Sequence, residues 1–347
     1  MARRARPAVV SSAALGVLLV AGPLAGCSAA VGTSEPTDGT AVGAQAVEIP
    51  ASELAQITTV HEATGMTLLE GPTFGPDGGL YVVDVTAPPG AAKVLRVDVE
   101  SGDATQVYTD DTSVLTSAQF SPLDGSLYVT DFMGGRVLTM DADGTGAKPV
   151  FEGEVDGAPM NPDDLSFAEN GTMYITDAAG AQDPYWEPTG RLVGVTADGS
   201  AATVLASDLA SANGLAFTPD ESGLWVTHNT GNQIDYLTLT DDGMQVATAH
   251  PAMHVDAGLA QVDSAAVDAA GNLYVGLHNR AAILVYDPTG KLIAEVTIPA
   301  EAGVSSATNI AIQPGTTKGY VTASGSDGGF VYTFDSLAEG IRQSNGG

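Results

Sequence analysis

Beyond about residue 50 the chain is written in short apolar runs of four to eight residues, rich in Val, Leu, Ile, Tyr and Thr and broken by clusters of Gly, Pro, Asp and Asn. No stretch sustains the apolar spacing of an amphipathic helix, so the pattern predicts an all-β domain.

The runs also repeat. Six units stand in register: EGPTFGPDGGLYVVDV from Glu70, TSAQFSPLDGSLYVTDF from Thr116, DDLSFAENGTMYITDA from Asp163, NGLAFTPDESGLWVTHN from Asn213, DSAAVDAAGNLYVGLHN from Asp263 and TNIAIQPGTTKGYVTAS from Thr308. Each reads as an apolar strand, a Pro/Asp/Gly turn suited to a hairpin, and a second strand of the Leu-Tyr-Val type. Third strands follow in every unit, as in KVLRVDV from Lys93, and fourth strands in five of them. The sixth unit lacks a fourth strand, and QITTVHEA from Gln56 supplies the match, so an N-terminal strand is expected to complete the last unit and close a ring. The units begin 45 to 50 residues apart, the length of a four-stranded propeller blade. The predicted fold is an all-β, six-bladed β-propeller over residues 47–342.

In a propeller the first strand of each blade lines the central channel, so the residues that open the units share one level of it. They are Glu70, Thr116, Asp163, Asn213, Asp263 and Thr308. All are polar, at the heads of otherwise apolar strands. Three acids and an amide in one phase would repel on a common axis unless a cation neutralised them, and oxygen ligands in irregular geometry suit Ca²⁺, with another divalent cation as the alternative. Zinc would recruit His or Cys, and neither occupies this phase. The plainer reading is that these polar residues cap strands at a solvated mouth.

The N-terminus carries separate information. Arg3, Arg4 and Arg6 precede an apolar stretch from Ala8 to Leu24, a signal-peptide pattern that ends in Leu24-Ala25-Gly26-Cys27. This ending resembles the bacterial lipobox, in which the cysteine is acylated and becomes the first mature residue. Residues 1–26 are therefore expected to be a lipoprotein signal peptide. Cys27 is the expected lipidation site, and the small, polar residues 27–46 form a flexible tether. Localisation outside the cytoplasm, anchored to the cell membrane, follows. Cys27 is the only cysteine, so no internal disulfide can form.

Composition narrows the partners. The 347 residues hold 12 Lys and Arg against 42 Asp and Glu, a formal charge of −30. Such a surface repels phosphate backbones, which excludes nucleic acid as a partner.

Glu70-Gly71-Pro72, Asp163-Asp164-Leu165 followed by ENGTMYITD, Asn213-Gly214-Leu215, and Asp263 followed by AGNLYV together resemble the gluconolactonase, regucalcin and senescence-marker family of six-bladed propellers. The Asp163-Asp164 and Asp263-Ser264 variants are most similar to its bacterial drug-responsive, calcium-dependent lactonase branch. The resemblance spans roughly residues 60–340. It implies Glu70, Asp163, Asn213 and Asp263 as metal ligands, with Ser264 as an additional one. It also implies hydrolysis of a small-molecule lactone or ester, with Asp263 as the base and Asp163 sharing or replacing it. The gluconolactonase branch commonly has Asn where Asp163 stands, and its sugar-recognising arginine has no counterpart here. The alternative function is a non-catalytic, calcium-stabilised propeller that binds a protein or glycan. His228 and His278, near the ends of second strands, are further candidates to approach the channel. His61, His250 and His254 fall outside it. Tyr185 and Trp186 are expected to be packed loop aromatics, with a place at the substrate mouth as the alternative.

Overall fold

A computed structural model of the chain describes residues 46–345, and these are nearly all β, with one 3-10 turn at Ala300–Ala302. Four antiparallel sheets are four-stranded meanders, and a nine-stranded sheet resolves into two more. The first strands of the six meanders are Leu69–Phe74, Leu115–Phe120, Pro162–Phe167, Ala212–Phe217, Gln261–Val267 and Val304–Ile312. They touch one another in cyclic order, the sixth meeting the first.

The repeat exists because each meander buries its two faces against its neighbours. The tyrosine of the Leu-Tyr-Val strand meets, edge to face, the phenylalanine that ends the next first strand: Tyr81 with Phe120, Tyr128 with Phe167, and Tyr174 with Phe217. The same pair, Tyr320 with Phe74, joins the sixth meander to the first. Aromatic edge contacts of this kind add roughly 0.5–1.5 kcal/mol beyond area burial.

The expected closing strand is present but shifted. Ser52–Thr58 pairs antiparallel with Gly328–Asp335 and completes the sixth meander, so the strand ends at Thr58 rather than running on to Ala63. His61 falls in the following loop, its Nε2 2.6 Å from Asp84 Oδ2. A further strand, Val47–Pro50, adds in parallel to Leu292–Thr297 at the outer edge of the fifth meander.

One meander junction differs from the rest. The residue that follows the Leu-Tyr-Val type triplet of the second strand is Val83, Thr130, Thr176, Thr227, Gly276 and Thr322 in turn. Three of the threonines donate to a backbone carbonyl of the next first strand: Thr130 to Asp163 at 2.7 Å, Thr176 to Asn213, and Thr227 to Asp263 at 2.6 Å. At Gly276 the equivalent carbonyl, that of Thr308, lies only 1.8 Å from where a Cβ would stand. The missing side chain lets the fifth and sixth meanders approach until Leu277 pairs with Ala307, which fuses them into one sheet.

Residues 336–345 run across the far ends of the first strands. Arg342 Nη1 donates to the Phe167 carbonyl at 3.0 Å, Ser344 Oγ donates to Val267 O, and Ile312 N donates to Ser344 O at 2.6 Å. Asn345 Nδ2 reaches Thr73 Oγ1 at 3.2 Å and also Gln119 Oε1, while Arg342 pairs with Glu221. This segment touches all six meanders and covers the end opposite the acidic residues described next.

Candidate metal centre and active site

Each first strand breaks its ladder at the position where the sequence turns polar. The register shifts fall between Glu70 and Thr73, Leu115 and Ser117, Pro162 and Leu165, Ala212 and Leu215, Val262 and Ala265, and Ala307 and Asn309. Such bulges re-aim side chains, so two successive residues can face the same space where strict alternation would separate them. Asp163 and Asp164 both line one cavity, and so do Asp263 and Ser264.

Glycine completes the arrangement at two positions. A Cβ on Gly214 would lie 2.5 Å from Ser264 Cα, and one on Gly71, where φ is +54°, would lie 2.6 Å from Ala118 N. The Glu-Gly and Asn-Gly pairs of the sequence thus serve close approach of adjacent first strands, which brings their polar residues together.

The cavity measures about 380 Å³ and collects Glu70, Thr116, Asp163, Asp164, Asn213, Asp263, Ser264 and His278. Every ligand candidate from the sequence, Glu70, Asp163, Asn213, Asp263 and Ser264, is brought to it. Asn213 Nδ2 donates to Asp163 Oδ2 at 2.9 Å. Asn309 Nδ2 donates to Ser264 Oγ at 2.8 Å and to Glu70 Oε2 at 3.2 Å. Asn309 and Asp164 are members that alternation conceals, because each sits one residue beyond its unit's first polar position.

Electrostatically the site is unbalanced. Four carboxyl groups share it, and no Lys or Arg lines it. Burial pushes the Glu70 carboxyl well up, and the charges of Asp263 and Asp163 add to this. Asp263 and Asp164 are likewise raised by burial and by the charge of Asp163. Asp163 is pushed up to about 7, by burial first and then by Asp177. Asp164 Oδ2 and Asn213 Oδ1 are buried without a hydrogen-bond partner. Unpaired buried oxygens and mutually repelling carboxyls are what a hard cation satisfies. Among the described residues no three His, Cys, Asp or Glu side chains form a preassembled cation cluster by themselves; the donor set here mixes carboxyl, amide and hydroxyl oxygens.

The histidines divide. His278 lines the cavity with Nδ1 3.7 Å from Asp263 Oδ2, and its burial lowers its pKa. His228 does not line it; its Nε2 lies 3.1 Å from Asp235 Oδ2 instead. His250 and His254 sit on the outer strand Val246–His254. Tyr185 and Trp186 are neither packed nor in the cavity wall. They stack on each other with ring centroids 5.3 Å apart and are 61% and 68% exposed, while Ala181 and Gln182 of the same loop reach the cavity.

A cyclic array of four-stranded meanders, with oxygen-bearing side chains of one phase gathered in a cavity at one end, defines a class of proteins built on repeated sheets. The profile of the SMP-30/Gluconolactonase/LRE-like region matches residues 68–325, and the chain belongs to that family. It is 27% identical over 282 residues to lactonase drp35 of Staphylococcus saprophyticus, covering 78% of this chain and 84% of the relative. A regucalcin from Agrobacterium tumefaciens, described as a calcium-binding protein, has the same fold with a TM-score of 0.67 at 17% identity, over 86% of this chain and 99% of its own. A gluconolactonase from Xanthomonas campestris aligns with a TM-score of 0.64 at 21% identity, over 84% and 98% of the two chains.

Proposed function

We propose that this protein is a calcium-dependent hydrolase of lactones or related esters, built as a six-bladed β-propeller and displayed outside the cytoplasmic membrane. The observation that carries the reading is the convergence of four carboxyls, three of them on buried residues, with two unpartnered oxygens, Asp164 Oδ2 and Asn213 Oδ1, in a cavity lined by no Lys or Arg. Glu70, Asp163, Asn213 and Asp263 would hold the cation, with Ser264 beside them. Family membership and the name of the lactonase relative support the reaction class.

A bound Ca²⁺ would supply Lewis-acid polarisation of the ester carbonyl and charge for the developing oxyanion. Asp263, which lines the cavity with His278 Nδ1 3.7 Å away, would take the proton of the attacking water as the general base. His278 is the histidine of the cavity wall and, with Nδ1 3.7 Å from Asp263 Oδ2, is the neighbouring group placed to receive that proton. Asp163 is held by the Asn213 amide, which fixes its orientation and suits it to ligation more than to proton transfer.

The test is a panel of aliphatic, aromatic and sugar lactones presented to the mature chain with Ca²⁺ and again with excess chelator. Chelator-sensitive turnover of at least one member is expected. Calcium binding with no turnover of any lactone or ester would transfer the function to a binding module.

The anchoring proposal rests on Arg3, Arg4, Arg6, the apolar stretch and Leu24-Ala25-Gly26-Cys27, all outside the described residues. Among the described residues no helix is long and apolar enough to cross a membrane. Cys27→Ser should leave the chain unlipidated, and it should then leave the membrane fraction. A variant that still carries lipid by mass spectrometry would contradict the assignment.

A further inference from the structure

The polar floor of the cavity is surrounded by an apolar rim. Each first strand starts at the cavity and each second strand ends there, so the connections between second and third strands, and those into each first strand, lie on this face. Five large apolar side chains in these connections are exposed: Met66 at 54%, Met133 at 68%, Tyr185 at 61%, Trp186 at 68% and Leu259 completely. Exposed apolar residues scattered singly need no explanation, but five in the connections of a single face, two of them in mutual contact, do. Each stands within four positions of a residue that forms the cavity wall, namely Leu68, Phe132, Gln182 or Gln261. The wall itself turns apolar toward these connections, at Leu68, Val85 and Phe132.

The loop that carries the aromatic pair is held at its base. Thr189 Oγ1 donates to Ala179 O at 2.7 Å, and Gly180, at φ +74°, leaves room for that hydroxyl where a Cβ would lie 1.7 Å from it. Tyr185 and Trp186 brace each other edge to face. The pair is thus presented on a defined loop beside the opening, with no protein surface packed over it.

We propose that this rim binds the apolar substituent of the substrate, so that the enzyme takes lactones or esters with a long alkyl or aryl group in preference to hydroxylated sugar lactones; this rests on the lactonase reading above. The ring oxygens sit over the oxygen-lined floor, and the substituent leaves through the mouth across Tyr185 and Trp186. Tyr185 and Trp186 are then specificity-determining residues rather than catalytic ones.

The experiment measures kcat/KM for γ-lactones of increasing alkyl chain, from five to twelve carbons, beside a sugar δ-lactone. In parallel, each lactone is titrated while tryptophan emission is followed, with Trp186→Phe as the control that leaves only the buried Trp225. The expected result is a rise in kcat/KM of roughly twofold to fourfold per methylene until the rim is covered. Emission should shift to the blue with a Kd that falls along the series, and the shift should be absent in Trp186→Phe. The double variant Tyr185→Ser/Trp186→Ser, checked by thermal unfolding, should flatten the dependence on chain length. Turnover and affinity that ignore chain length, or a sugar lactone preferred over the alkyl series, would overturn the inference. Affinity that climbs with chain length at Trp186 without hydrolysis of any member would support the rim and remove the lactonase reading instead.

Discussion

Asp263→Ala should lower lactone turnover by roughly 10³-fold at saturating calcium, within the usual range for loss of a general base. The expected loss is chemical, because the backbone around it is held by other groups. The Asp263 carbonyl keeps its 2.6 Å bond from Thr227 Oγ1, and the cavity-facing bulge is set by the register shift between Val262 and Ala265. Asp263→Asn should fall as far as alanine in turnover while losing less calcium affinity, since an amide oxygen still ligates but accepts no proton. Stability gives an independent readout with the opposite sign. In calcium-free protein the carboxyls repel, so removing one should raise the unfolding temperature, whereas with calcium the same change should lower it. The pH dependence follows the same logic. Asp163 titrates near 7 in the fold and near 3.9 unfolded, so the fold binds the proton more tightly. Calcium-free protein should therefore gain stability as pH falls through 7 toward 4 and lose it as pH rises through 7. An Asp263→Ala enzyme with wild-type turnover would remove the base assignment.

Gly276→Thr should unfold the protein at a far lower temperature, although the repeat itself recommends the change. Four of the six units place threonine at this position, and in three of them its hydroxyl bonds the next first strand. At the fifth unit the added Cβ would stand 1.8 Å from the Thr308 carbonyl oxygen and 2.5 Å from its carbon, both backbone atoms that cannot rotate away. The strands would have to part, breaking the Leu277–Ala307 pairing. A clash of this kind costs on the order of 4 kcal/mol or more, which at about 2 °C per kcal/mol lowers Tm by roughly 8 °C. Thermal unfolding of Thr227→Gly, which deletes a side chain at the same position of the fourth unit, provides the comparison and should cost only about 1–3 kcal/mol. A Gly276→Thr protein as stable as the parent would mean that the fifth and sixth meanders are not joined as described.

The repeat was legible because it is carried by strong local signals: Leu-Tyr-Val strands, Pro/Asp/Gly turns and a polar residue at a fixed phase. That phase names Glu70, Asp163, Asn213 and Asp263, and all four line one cavity. It could not locate Asp164 or Asn309, since a period of two sends the next side chain to the opposite face and only the bulge brings it back. His228 directly follows the Thr227 position whereas His278 stands two residues past the matching Gly276, so strand alternation sends them to opposite faces: Asn229, the counterpart of His278, lines the cavity, and His228 turns to Asp235 instead. The extent of the closing strand was misjudged by a few residues because its partner, Gly328–Asp335, lies at the other end of the chain and sets the register. The covering segment 336–345 has no apolar periodicity to betray it; its polar side chains, such as Gln343 and Ser344, are buried by bonding to backbone carbonyls of other strands. The exposure of Tyr185 and Trp186 was equally hidden, since an aromatic pair in a loop reads as packed until the surface around it is known.

The most direct test of the metal-centred account is a calorimetric calcium titration of chelator-stripped protein, with lactone turnover recorded at each addition. One tight calcium per chain is expected, with turnover that rises in step with its occupancy and at least tenfold weaker binding in both Asn213→Ala and Glu70→Gln. Turnover at full rate in stripped protein, or unchanged calcium affinity in both variants, would contradict it.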